Sequence, residues 1–98
     1  MAKKIIWTLR SIQDRIQIYQ YWQEHNRSDS YSNKLESLFN TTANLISKYP
    51  EIDTTTNFHN VRIKVVKSYK IFYRVLNDRI EILRAWDSRQ KPEELKLP

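Results

Sequence analysis

Lys4 to Leu9 (KIIWTL) is a short run rich in β-branched residues and predicts an opening strand. Ser11-Ile12-Gln13-Asp14 then has the form of a capping box. The Ser11 hydroxyl can accept from the amide three residues on, and the Asp14 carboxylate can reach back to the cap and meet the positive helix end. Behind it Ile12, Ile16, Tyr19 and Trp22 recur at spacings of four, three and three, the helical period, and Ile18 and Tyr21 widen that face. This first helix is expected to end near Glu24 or His25. The polar stretch 25–30 (HNRSDS) supplies a turn. A second helix follows, with Tyr31, Leu35, Leu38, Phe39, Thr42, Leu45, Ile46 and Tyr49 filling one sector about 120° wide. Pro50 ends it, because proline disfavours helical geometry at the preceding residue. Two helices joined by so short a turn predict an antiparallel hairpin.

From Glu51 to Asn60 the chain is polar and threonine-rich, a loop, and beyond it the period switches to two. In Val61-Arg62-Ile63-Lys64-Val65 the odd positions are apolar and both even ones basic. That pattern predicts a half-buried strand with Val61, Ile63 and Val65 toward the helices and Arg62 and Lys64 on an open face. Tyr69 to Leu76 is the next strand, with Ile71, Tyr73 and Val75 on one side and Lys70, Phe72 and Arg74 on the other. Leu76-Asn77-Asp78-Arg79 reads as a two-residue hairpin, since Asn and Asp tolerate positive φ best among residues other than glycine. Ile80 to Trp86 closes the sheet. Its inward face is left open, because Ile80, Ile82 and Trp86 share a side with Arg84. Asp87 to Pro98 is a polar tail, with a turn of helix at Pro92 to Leu95. The order β-α-α-β-β-β predicts an α+β domain, an antiparallel sheet covered on one face by a helical hairpin, with the first strand at an edge.

Ninety-eight residues fit one domain, spanning 1–98. Gly 0 excludes glycine-built phosphate cradles, and Cys 0 excludes disulfides, thiol catalysis and cysteine-ligated zinc. With two histidines, His25 and His59, a polyhistidine metal centre is out of reach as well. No apolar run approaches the ~18 residues a membrane span needs, so a cytoplasmic protein without a membrane partner is expected. The net charge of +6 is concentrated: Arg62 to Lys91 holds nine basic residues and three acids, and the remainder cancels. A field so localised favours a polyanionic partner, nucleic acid or an acidic protein segment.

If Arg62 and Lys64 stand on an open face, Lys70, Arg74 and Arg84 can join them there or at its rim as a site for a phosphodiester backbone. Phe72 and Trp86 are close enough in sequence to stack bases, although Trp86 also closes an apolar alternation and fits a core. Past the last strand, Asp87-Ser88-Arg89-Gln90 offers Arg89 as a bidentate phosphate or carboxylate clamp and Gln90 as a neighbouring polar contact. Asp87 is either a general base or the pairing partner of Arg84 or Arg89. His59 precedes the basic strand, and His25 fits a helix C-cap. No Ser-His-Asp or paired-carboxylate constellation is present.

Taken in order, Tyr49-Pro50, Val61–Val65, Tyr69–Val75 and the closing Ile80-Glu81-Ile82-Leu83-Arg84-Ala85-Trp86-Asp87-Ser88-Arg89-Gln90 resemble the RelE/ParE superfamily of toxins from type II toxin–antitoxin pairs. The resemblance implies one of two activities. RelE-like members cleave mRNA in the ribosomal A site without metal or cofactor, and ParE-like members bind and poison DNA gyrase. It also implies a cognate antitoxin that wraps the toxin, with ribosome and mRNA, or gyrase, as the target. On the RelE pattern, translation is inhibited by mRNA cleavage. Arg62 or Lys64 then activates the attacking hydroxyl, while Lys70 and Arg89 stabilise the charged transition state. Two positions depart from it: Asp87 and Leu95 stand in the region where many active members carry a histidine or tyrosine, and Lys70 stands for an arginine.

Overall fold

The structure is a computed structural model that describes residues 2–98. It contains β1 (Lys4–Trp7), α1 (Leu9–Asn26), α2 (Ser30–Lys48), β2 (Thr54–Thr55), β3 (Val61–Val66), β4 (Tyr69–Val75) and β5 (Arg79–Asp87), with a 3₁₀ turn at Pro92–Glu94. One sheet in the order β1-β5-β4-β3-β2 carries all five strands, and the helical hairpin packs on one face. β1 runs parallel to β5 at the edge, and every other pair is antiparallel. The expected α+β order therefore holds. β2 is an addition, since Thr54 and Thr55 pair with Ile63 and Arg62 inside the stretch that reads as loop.

The start of α1 corrects the expected capping box. Thr8, extended at φ −66° and ψ 160°, is the N-cap, and its hydroxyl oxygen accepts from the Ser11 amide at 3.2 Å. Ser11 lies within the helix, buried, and donates to the Thr8 carbonyl at 2.8 Å. Asp14 points at the sheet. The face of α1 that meets the sheet is Ser11, Asp14, Ile18 and Trp22, while Ile12 and Ile16 are exposed. Asp14 sets this rotation, because its carboxylate is bonded to β5 and carries the helix face with it. In α2 the expected stripe holds at Leu35, Phe39, Thr42 and Ile46, which are buried, whereas Leu45 and Tyr49 are exposed.

The main core lies between helices and sheet, where Leu35, Phe39 and Ile46 meet Tyr69, Ile71 and Tyr73 of β4 and Ile80, Ile82 and Ala85 of β5. A bulge resolves the inward face of β5. Tyr73 pairs with Ile82 and Phe72 with Arg84, so Leu83 is an extra residue that resets the alternation. Ile80, Ile82 and Ala85 face the helices, and Trp86 faces away.

The outer face is not an open basic surface. Val61, Phe72, Leu83 and Trp86 form a second apolar cluster there, joined by Ile63 and by Leu95 and Leu97 of the tail. Because β3 pairs Ile63 with Phe72, Val61 and Ile63 belong to this outer cluster, while Val65 is exposed and Val66 joins the main core. Arg62 and Lys64, opposite Tyr73 and Ile71, stand on the helix side, reversing the sequence expectation.

Without glycine, the chain places Arg27 (φ 51°), Asn60 (φ 59°) and Lys67 (φ 55°) in the left-handed region. Lys67 turns the β3–β4 hairpin between the paired Val66 and Tyr69. The 76–79 turn closes through the Leu76 amide and Arg79 carbonyl at 2.9 Å, and neither Asn77 nor Asp78 needs the positive φ expected of it. A Cβ in the left-handed region costs about 1–2 kcal/mol, partly offset by glycine's freer unfolded chain. Lys67→Gly should therefore stabilise the protein by ~1 kcal/mol, raising the melting temperature by about 4–8 °C in a thermal unfolding scan. Among the described residues, no helix is long and apolar enough to cross a membrane.

Candidate functional site

β1 stops at Trp7, so β5 has no strand neighbour along that edge beyond Ile82. The first turns of α1 fill the gap. The Thr8 amide donates to the Ile82 carbonyl at 3.0 Å and its hydroxyl to the Leu83 carbonyl at 3.2 Å. One residue pair on, Asp14 Oδ2 accepts from the Ala85 amide at 3.0 Å. Between α1 and the end of β5 this leaves a cleft of about 510 Å³, lined by Arg10, Gln17 and Tyr21 from the helix and by Tyr69, Asp87, Arg89, Gln90 and Glu94 across from it.

Arg84 forms the floor. Its Nε donates to Asp14 Oδ2 at 2.7 Å and its Nη2 to Oδ1 at 3.1 Å, a bidentate pair, while Nη1 donates to the Lys96 carbonyl at 2.8 Å. Its guanidinium also lies 5.1 Å from the Trp86 ring centroid. Arg84 is 4% exposed and Trp86 6%, so neither is available to stack on or bind a nucleic acid. Both expectations are corrected: one ties α1, β5 and the tail together, and the other is core.

Arg89 forms the rim. Its Nε donates to Asp87 Oδ1 at 3.0 Å, its Nη2 to Oδ2 at 2.7 Å, and its own amide returns to Oδ1 at 2.9 Å. The guanidinium also lies 5.8 Å from the Tyr21 ring centroid, and the His25 ring stacks on Tyr21 at 5.6 Å. Hydrogen bonds from Arg89 hold the Asp87 carboxyl below its ordinary 3.8 despite partial burial, and Asp87 in turn raises Arg89. Asp87 is thus the pairing partner of Arg89. A carboxyl depressed in the folded state contributes stability that is complete above its unfolded value and lost as pH falls through its folded value. An NMR titration should place the Asp87 midpoint below 3.8, and Arg89→Ala should move it back up toward that value.

Beside the cleft, Tyr69 accepts from the Trp22 indole at 2.8 Å, and burial raises its hydroxyl above the ordinary 10.0.

Arg62 and Lys64 are engaged elsewhere, around Asp53. Arg62 donates to the Asp53 carbonyl at 2.7 Å, Lys64 to its Oδ1 at 3.3 Å, and Tyr73 to its Oδ2 at 2.9 Å, with the Pro50 carbonyl 3.0 Å from the same hydroxyl. This knot ties the loop after α2 to β3 and β4. Burial, then the Asp53 hydrogen bond, raises Tyr73 far above its ordinary value. Lys70 is on the outer face opposite Trp86, and Arg74 lies there 3.9 Å from Glu81. Of the four residues expected to act together in catalysis, only Arg62 and Lys64 are brought together. Lys70 is on the opposite face and Arg89 beyond the end of β5. Five of the nine cations between Arg62 and Lys91 are in ion pairs: Lys64, Arg74, Arg79, Arg84 and Arg89.

His59 lines a different cleft, and His25 is the basic residue in the last turn of α1, as expected at the negative helix end, while Arg27 closes the helix by donating its amide to the Gln23 carbonyl. Arg10, Asp14 and Tyr21 were not recognisable as site residues. The available signal was Asp14 itself, an acid three residues from Ser11 and four from Ile18 on what proves to be the buried face. Among the described residues, no group of three or more His, Asp or Glu could hold a metal ion.

A family model described as the ParE toxin of the type II toxin-antitoxin system, parDE, matches residues 5–92. No curated protein matches the chain. Among solved structures it is similar to a chain of the chromosomal ParDE TA system from P. aeruginosa, with 16% identity, 88% of this chain and 96% of that chain covered, and a TM-score of 0.77. At that identity the likeness shows a shared fold.

Proposed function

Because the chain belongs to the ParE toxin family of type II toxin–antitoxin systems, we propose that it arrests growth by binding and inhibiting DNA gyrase, and that a cognate antitoxin holds it inactive. One observation carries this choice over mRNA cleavage: the cations a nuclease would need are dispersed. A metal-independent ribonuclease gathers a base, an acid and charge-stabilising donors about one phosphate, each within roughly 3 Å of its atom. Here Arg62 and Lys64 serve Asp53, Lys70 is on the other face, and Asp87 is held ionised by Arg89.

The same geometry suits a binding protein. Arg and Tyr are the residues that most often dominate protein interfaces, and the cleft rim presents Arg89 beside Tyr21. Asp87 and Tyr21 already hold the guanidinium, so docking immobilises little that is free. Induced expression should relax plasmid DNA in the cell, read as a shift in topoisomer distribution, with the 5′ ends of messages unchanged. New ends at A-site codons together with normal supercoiling would overturn the proposal.

A further inference from the structure

A second cleft, also about 510 Å³, lies at the other end of β4, where the 56–60 loop meets Lys3, Arg62 and the turn after Val75. Its loop is tightly bonded. The Thr56 hydroxyl accepts from the Phe58 amide at 3.1 Å and donates to the Val61 carbonyl at 2.8 Å. The Val61 amide donates to the Phe58 carbonyl at 3.2 Å, and the Val75 amide to that of Asn60 at 2.9 Å. This scaffold leaves Phe58 51% exposed in the lining of the cleft.

The cleft that Phe58 lines also holds three donors of positive or polarised N–H: Lys3, fixed by its bond to the Leu76 carbonyl at 2.7 Å, the Arg62 guanidinium, and the His59 imidazole. Arg62 Nη1 is bonded to the Asp53 carbonyl, and its Nε and Nη2 are left for a ligand. The Asn60 and Asn77 amides supply paired donors and acceptors, and Glu51 is the one acid in the lining. A flat apolar ring, amides and phosphate-binding cations together match a nucleotide whose base is free of a duplex stack.

We infer that this cleft binds single-stranded nucleic acid, one base stacking on Phe58 and the adjoining phosphate meeting Lys3 and Arg62. It shares no residue with the Arg89 cleft, and it stands independently of gyrase inhibition. Each nucleotide bound this way neutralises few phosphates, so affinity is modest and its salt dependence shallow.

Fluorescence anisotropy of the whole chain with a labelled dT 12-mer, and with the same strand annealed to dA, tests it. The single strand should bind ~10-fold tighter than the duplex, with a shallow log–log salt slope of about −0.7 for the one phosphate that Lys3 and Arg62 neutralise. Phe58→Ala should weaken binding by roughly 10-fold, and Phe58→Trp should retain it. Because the ring is exposed, circular dichroism should show both variants folded. Equal affinity for strand and duplex, Phe58→Ala binding like the parent, or no binding by the parent chain would each overturn the inference.

Discussion

Replacing Asp14 with alanine is expected to cost about 3–5 kcal/mol, a large share of the ~5–15 kcal/mol that holds a domain of this size folded. The Arg84 guanidinium would remain 4% exposed with its bidentate partner gone, and the Ala85 amide would lose its acceptor. In thermal unfolding the melting temperature should fall by ~15 °C or more. The cost arises from stranding a charge, not from the pair's own net strength. Asp14→Ala combined with Arg84→Met should therefore recover part of the loss, because no charge is left buried. Recovery stays partial, since the Ala85 amide is still unsatisfied. A loss below ~1 kcal/mol in the single variant would contradict this role for the pair. Arg10, 54% exposed and 3.9 Å from Asp14, contributes little by comparison.

Arg89→Ala is expected to abolish growth arrest while lowering the melting temperature by only a few degrees. The side chain is 57% exposed, and an ion pair so open to solvent adds little to folding, so its removal acts chiefly on binding. An arginine anchored on an aromatic ring at a cleft rim has the character of an interface hot spot, and its truncation should weaken gyrase inhibition by roughly 30-fold or more. Arg89→Lys should rescue only part of it, because an ammonium cannot hold both Asp87 oxygens in the fork that positions the group. Arg62→Ala with Lys64→Ala makes a contrasting pair. These side chains brace the Asp53 loop, so the double variant should lower stability and, wherever it remains folded, retain toxicity.

Element order, the helical hairpin and the three-strand meander were legible because each rests on periodicity: 3.6 residues in α2, two in β3 and β4. The bulge at Leu83 was not, since one extra residue leaves no mark in composition yet inverts every side chain after it. The facing of β3 failed for a related reason. A strand alternating valine with lysine normally turns its cations to water, but here a second apolar cluster and the tail residues Leu95 and Leu97 cover the far face. The cations are accepted on the helix side because Asp53 is there to receive them. Asp14 illustrates the limit at the site. Its spacing from Ser11 fits a capping box, and only a residue seventy positions away, Arg84, reveals its actual partner. Arg89 and Asp87, neighbours in sequence, were legible as a pair, whereas Tyr21 behind Arg89 required the fold.

On the proposed function, this toxin acts by binding gyrase rather than by chemistry on RNA. The most direct measurement is ATP-dependent supercoiling of relaxed plasmid by purified gyrase, titrated with the purified chain. Inhibition that rises with the chain and is lost with Arg89→Ala is the predicted result. Supercoiling that continues undiminished at a large excess of folded chain would contradict it.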